Sequence, residues 1–305
     1  MRTRVEWEVG LGFVGTAMGP LSEINSYLRS RPNGLLYHYT TTAGIIGIFE
    51  SRTIWATSTR HLNDSEEYLH AAKLLREELE HRLNQETGSK RETFEQWIDS
   101  LREDRPDCFV TSFSAKSDLL SQWRAYSDCN NGYSIGFNHD ELKQVVRTSD
   151  CILVKCEYRL EYQKQLITQL ADFVYKMIVR SRGKGLKGPK GRGWIGRIIT
   201  KSMAILASIK HPSFEEEQEW RLVALPDSRR ELCFREGRFG IVPYYKVPLL
   251  ADEHNRLSFS ELWVGPTQNK EAAEFAATEL VHRFGIPWKT PFVSLVHHSK
   301  SSLRP

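Results

Sequence analysis

The chain has 305 residues, of which 40% are hydrophobic, 11% aromatic and 26% charged, with a net charge of +4. This balance excludes a disordered chain and supplies enough Trp, Tyr and Phe for a sizeable core. Five cysteines, odd in number and without a Cys-x-x-Cys pair, argue against a zinc site and a secreted disulfide frame; reduced thiols in a cytoplasmic protein without metal are expected.

The N-terminus carries Glu6 and Glu8, and the run from Gly10 to Gly19 is too short to span a bilayer, so neither a signal peptide nor a membrane anchor is expected. Leu21, Ile24 and Leu28 recur at helical spacing ahead of Pro32-Asn33-Gly34, which predicts a helix over 20–31 inside a lead-in of residues 1–34. One α+β domain is expected over 35–298, with 299–305 as a tail. It opens with a strand at 35–39, a helix at 41–51 carrying Ile45, Ile46, Ile48 and Phe49, and a strand at 53–57.

Asn63 or Asp64 is placed to cap a long helix to about residue 85, where Tyr68, Ala72, Leu75, Leu79 and Leu83 recur every three to four residues. A helix at 91–102, a buried strand at 108–114, a short helix at 119–126, a turn at 128–132 and a strand at 133–137 follow. A helix at 139–147, a strand at 151–158 and a helix at 161–180 come next. Between Arg180 and Lys201 stand eight basic residues, six glycines and no carboxylate, read as a basic Gly-rich insertion. A helix at 194–210 precedes His211-Pro212. Strands are expected at 219–225, 231–235, 240–247 and 262–264, with one late helix at 270–282.

Several motifs along this frame carry chemistry. His38, with Tyr39 and Thr40, sits in a strand directly before a helix, whose N-terminal amides attract anions; the competing reading is a histidine satisfied by a local hydrogen bond. Ser112 and Ser114, followed by Ser121, Trp123, Arg124 and Tyr126, supply hydroxyls, a cation and aromatics suited to a flat heteroaromatic ring and a pyrophosphate. The alternative is that Trp123 and Tyr126 form one buried helical face.

Glu215, Glu216, Glu217 and Glu219 crowd the start of a strand, where a carboxylate can stabilise positive charge on a sugar. A solvated turn fits Glu215 and Glu216 well and Glu219 less well, because Glu219 and Arg221 share a strand face. Arg235 and Arg238, ahead of Phe239-Gly240-Ile241-Val242-Pro243-Tyr244, suit either a phosphate site or a surface hairpin. The glycine-rich dinucleotide fingerprint, the Walker lysine loop, His-Glu-x-x-His and Gly-x-Ser-x-Gly are all missing, so a Rossmann enzyme, P-loop ATPase, zinc protease or α/β-hydrolase is not supported.

Taken in order, Tyr37-His38-Tyr39-Thr40, Ile54-Trp55-Ala56-Thr57, Leu62-Asn63-Asp64-x-x-Glu67, Ser121-Gln122-Trp123-Arg124-Ala125-Tyr126, Gly136-Phe137 and Glu217-x-Glu219-Trp220-Arg221 resemble the bacterial domain-of-unknown-function family 2971 from about residue 35 to 266. More distantly, the Tyr-His-x-Thr strand is similar to that of ADP-ribosyltransferases with a His-Tyr-Glu site, some of them DNA-modifying toxins. That resemblance implies split mixed or antiparallel sheets surrounded by helices, with NAD in the cleft as substrate. It implies that His38 holds the ribose, that Tyr126 or Trp123 stacks on nicotinamide, and that Glu219 drives transfer with Glu217 as partner carboxylate.

ADP-ribose would pass to a macromolecular acceptor, protein or nucleic acid, in a toxin or phage-defence role. Arg182, Lys184, Lys187, Lys190 and Arg192 of the basic insertion are the candidates for nucleic-acid contact. The competing readings are a non-catalytic nucleotide or nucleic-acid sensor and an NAD glycohydrolase.

Overall fold

The structure is a computed structural model and describes residues 21–62, 65–85, 87–88, 91–92, 95, 108–127, 131–181, 189–224, 231–237, 240–287 and 295–301. It opens with helix α1 (Leu21–Leu28), strand β1 (Leu36–Thr41), helix α2 (Thr42–Ser51) and strand β2 (Thr53–Ser58). The strand–helix–strand unit expected at the front of the domain is therefore present. The Thr41 hydroxyl caps α2 by accepting from Gly44 N, and a Cβ at Gly44 would lie 2.0 Å from Thr40 Oγ1, so a larger residue there would require the Thr40 hydroxyl to turn away.

Next come α3 (Ser65–Leu83), β3 (Phe109–Ser114), α4 (Leu120–Tyr126), β4 (Gly132–Phe137), α5 (His139–Ser149), β5 (Cys151–Lys155), α6 (Leu160–Ser181) and α7 (Pro189–Leu206). The proposed capping residues Asn63 and Asp64, and most of the helix expected at 91–102, lie outside the described residues. The back third holds β6 (Glu219–Ala224), β7 (Leu232–Gly237), β8 (Gly240–Pro248), β9 (Leu257–Phe259), β10 (Glu261–Val264), α8 (Lys270–Phe284), β11 (Gly285–Pro287) and β12 (Val296–His298).

The basic insertion corrects one expectation: α7 begins at Pro189, five residues before the predicted start, so part of the Gly-rich stretch is helical. Proline fits a first helical turn, where its missing N–H costs no hydrogen bond. The helix also stops at Leu206 rather than at 210, and the freed Lys210 turns inward.

The strands form a mixed, mainly antiparallel sheet in the order β12-β10-β4-β1-β3-β2-β8-β7, with β6 paired to β3 and β5 to β6; β12 lies parallel to β10, and β9 and β11 form a small parallel pair. One edge of β3 is fully paired to β6, and the other is shared. β1 meets it at Tyr37↔Ser114, while β2 meets it at Thr57↔Val110 and Ser58↔Phe109. Between those contacts the ladder parts. His38 Nδ1 donates to Ser112 O at 3.0 Å and Thr111 Oγ1 donates to Trp55 O at 2.9 Å, satisfying carbonyls that neighbouring strands leave open.

Helices cover both faces. One face packs Phe109, Phe113, Ile135, Trp220 and Leu222 against Ile45 and Phe49 of α2, Leu142 and Val145 of α5 and Val281 of α8. The other packs Val110, Val154 and Val223 against α1, α3, α6 and α7, through side chains such as Ile24, Leu75, Leu170 and Ile205. A smaller cluster of Tyr37, Tyr39 and Trp123 joins β1 to α4. Among the described residues no helix is long and apolar enough to cross a membrane.

Candidate functional site

At the start of β6 an apolar run, Ile205-Leu206-Ala207-Ser208-Ile209, ends in Lys210, and a short 3₁₀ turn (Pro212–Glu217) delivers Glu217 and Glu219. Lys210 is 3% exposed, and its Nζ lies 2.5 Å from Glu217 Oε2 and 2.7 Å from Glu219 Oε2. Glu219 also accepts from Arg221, at 2.8 Å from Nε and 3.1 Å from Nη2, while Arg221 Nη1 donates to Ala207 O at 2.8 Å.

Two cations thus meet two carboxylates, and the group is neutral as a unit. Burial alone would raise the Glu219 carboxyl, but Arg221 and Lys210 beside it hold it down at about 2. Burial works to lower Lys210 as well, yet the facing carboxylates keep it firmly charged. Tyr158 Oη accepts from Glu219 N at 2.8 Å, and the buried Cys156 thiol is pushed up by burial and by the Glu219 charge.

The cross-strand pairs Tyr37↔Ser114 and Ser114↔Glu219 put Tyr37, Tyr39, Ser112, Ser114, Glu219 and Arg221 on one face of the sheet. His38 stands on the other, tilted against Phe113 with ring centroids 5.9 Å apart. The wall expected to be shared by His38 and Glu219 is therefore not formed by these two side chains, because odd and even residues of β1 face opposite ways. Since a carbonyl only accepts, His38 carries its proton on Nδ1. The structure thus shows the local hydrogen bond that was the competing reading of this residue.

Burial pushes the His38 imidazole below its ordinary value, with the Ser112 carbonyl opposing. Its contribution to stability is then complete above the unfolded value near 6.5 and is lost as pH falls through the lower folded value. Replacing His38 by Phe leaves Ser112 O unpaired, at a cost of about 1–3 kcal/mol at pH 7. The gap between wild type and His38→Phe in urea unfolding is expected to narrow at pH 5. A gap that widens on acidification would reverse the assigned sign.

Trp123 is 1% exposed, packs edge-on against Tyr39 at 4.6 Å and donates from Nε1 to Asp118 at 2.7 Å. Tyr39 Oη donates to Lys116 O and accepts from Leu119 N. Both rings are structural, and neither is open to stack on a ligand. Tyr126, 40% exposed, does not share that buried face, so the reading of Trp123 and Tyr126 as one buried face is corrected for Tyr126. Ser114 Oγ donates to Glu217 O at 2.7 Å, fixing the turn, while Thr40 is half-buried at the entry to α2.

Two motifs distant in sequence do meet. An open depression is lined by Leu120, Ser121, Arg124 and Ala125 of α4 and by Glu216 of the 212–217 turn, which precedes the quartet's Glu217 in the chain. Glu215 and Glu216 are solvated, as their turn position suggested, and Glu217 keeps 18% of its side chain exposed. No motif singles out Lys210 in the sequence; its signal is a lone cation closing an apolar run ahead of four carboxylates. Arg182, Lys184 and Lys187 lie outside the described residues. Lys190 and Arg192 fall within α7, with side chains likewise outside what is described.

Residues 122–222 match the model of a protein family of unknown function, DUF2971. The matched stretch runs from α4 to β6 and contains Arg124, Lys210, Glu217, Glu219 and Arg221, whereas His38 and Trp55 lie before it. No curated protein and no solved structure matches the chain.

Proposed function

We propose that this chain is a nucleotide-binding sensor that recognises an NAD-like ligand without turning it over, using the depression between α4 and the 212–217 turn. What carries the reading is the neutral quartet. A carboxylate that already faces Lys210 and Arg221 has no uncompensated charge to offer a developing ribosyl cation, and the His38 ring faces the other side of the sheet. Arg124 is the group suited to a phosphate and Tyr126 the ring suited to a base. The parting of β1 and β2 along β3 supports an ADP-ribosyltransferase-like fold as the scaffold. Cys156 and Cys233 are free thiols, in keeping with a cytoplasmic role.

Calorimetry with NAD is expected to show binding that Arg124→Gln weakens about tenfold, the loss of one charged hydrogen bond of about 1.5 kcal/mol, with no nicotinamide released. Absence of binding at millimolar NAD would sink this reading. A second reading, transfer of ADP-ribose from NAD to a protein or nucleic-acid acceptor or to water, is favoured by one observation: Glu217 keeps 18% of its side chain exposed while Lys210 fixes it. Label from radioactive NAD appearing on an acceptor, or free ADP-ribose, would establish it, and Glu217→Gln would then abolish turnover. A toxin or phage-defence role belongs to this second reading and predicts growth arrest on expression.

A further inference from the structure

The far end of the sheet, where β2, β8 and β7 lie side by side, carries a second group of residues that the depression does not use. Trp55 is 41% exposed although it sits mid-strand, and its ring stacks on Tyr244 with centroids 4.4 Å apart and planes 32° from parallel. One indole face is thus held by a buried tyrosine while the residue stays open to solvent. The register sets Lys246 directly across from Trp55 on β8, and Lys246 is exposed. Cross-strand pairs place Arg235 of β7 opposite Val242, on the same face as Tyr244 and Thr57.

The Arg235 guanidinium lies 5.9 Å from the Trp55 ring centroid. Its hydrogen bonds are long, 3.4 Å from Nη2 to Thr57 Oγ1 and 3.5 Å from Nη1 to Glu236 O, and its buried Nε has no partner among the described residues. A guanidinium has five donors, so capacity remains for an anion. Among the described residues no carboxylate is paired with Arg235 or Lys246. The platform is therefore a supported aromatic ring with two cations at different levels along β2, neither of them paired with an acidic side chain among the described residues.

That combination fits a ligand with a flat face and more than one negative charge along its length. Protein surfaces rarely leave a large ring so open beside uncompensated cations, whereas every nucleobase offers a π-face and every nucleotide linkage a phosphate. We propose that this platform binds single-stranded nucleic acid, one base stacking on Trp55 and the flanking phosphates meeting Arg235 and Lys246. Duplex is disfavoured, because its bases are already stacked and offer no free face. The assignment rests on the platform alone and is independent of what occupies the depression.

The test is fluorescence anisotropy of a fluorescein-labelled single-stranded 12-mer of mixed sequence, titrated with the full chain over a range of salt. Wild type is expected to bind, and Trp55→Ala to weaken binding about tenfold, in line with the stacking of one base. Trp55→Phe keeps a ring and most of the affinity. Lys246→Gln, an exposed substitution that leaves the core untouched, and Arg235→Gln are each expected to lower the slope of log affinity against log salt by about 0.7. Arg124→Gln is expected to leave oligonucleotide binding unchanged, which separates this site from the depression. No anisotropy change at high micromolar protein, wild-type affinity in Trp55→Ala, or equal affinity for a duplex of the same sequence would overturn the proposal.

Discussion

Glu219→Gln is expected to destabilise the protein by about 3–5 kcal/mol, the range for breaking a buried ion pair from one side. The carboxylate answers Arg221 at 2.8 Å and Lys210 at 2.7 Å, and all three side chains are 5% exposed or less. Glutamine keeps the shape but removes the charge, so Arg221 loses the carboxylate it donates to twice and Lys210 loses one of its two facing carboxylates. Because the folded carboxyl is held at about 2, below its unfolded value, its contribution is full above the unfolded value and drains away as pH falls toward 2. Wild type should therefore lose stability through that window, while Glu219→Gln, already lacking the contribution, should show a flatter profile. Urea unfolding at a series of pH values measures both effects. A loss below about 1 kcal/mol at pH 7 would mean that water compensates the quartet from outside, and the argument for a neutral buried unit would fail.

The quartet also shows where the sequence was legible and where it was not. The alternation Glu219-Trp220-Arg221-Leu222 does put both charged residues on one face, as strand periodicity requires. Periodicity cannot say which face of the assembled sheet that is. The answer depends on Tyr37↔Ser114 and Ser114↔Glu219, two pairings between segments far apart in the chain, and they separate Glu219 from His38.

Long elements with strong patterns, such as α3 and α6, lie close to where their apolar spacing placed them. The three-residue strands β9, β11 and β12 left no pattern to read, because two or three alternations carry no period and their pairing is parallel and non-local. The start of α7 was hidden for another reason: glycines in Pro189-Lys190-Gly191-Arg192-Gly193 have poor helix propensity, and tertiary packing overrides it. Trp55 read as an ordinary strand residue, since solvent exposure of one ring follows from which strands flank it and not from its neighbours in sequence.

Trp123→Ala is expected to cost about 3–5 kcal/mol, the usual range for truncating a buried tryptophan. The ring is 1% exposed and fills a space so close that a Cβ on Gly265 would lie 2.9 Å from it, leaving the cavity little room to collapse. Tyr39 loses its edge-on partner at the same time. The indole N–H is one of several donors to Asp118, which also accepts from Ser299 Oγ at 2.5 Å, Lys300 N at 2.8 Å and Ser301 Oγ at 3.3 Å. Asp118 thus ties α4 to the segment after β12. Burial works to raise its carboxyl, and the donors from Ser299, Trp123 and Lys300 outweigh it and hold the carboxyl low. Trp123→Phe keeps most of the packing and removes only the N–H, so a loss of about 1–2 kcal/mol is expected there. Hydrogen exchange then separates packing from tethering: Trp123→Ala should speed exchange at Lys300 and Ser301 as well as across α4, while Trp123→Phe, which keeps a ring against Tyr39 and so keeps Asp118 in place for its other donors, should spare them. Equal protection of Lys300 in both variants and wild type would show that the segment is held without the ring, and the link from α4 to the end of the chain would be lost.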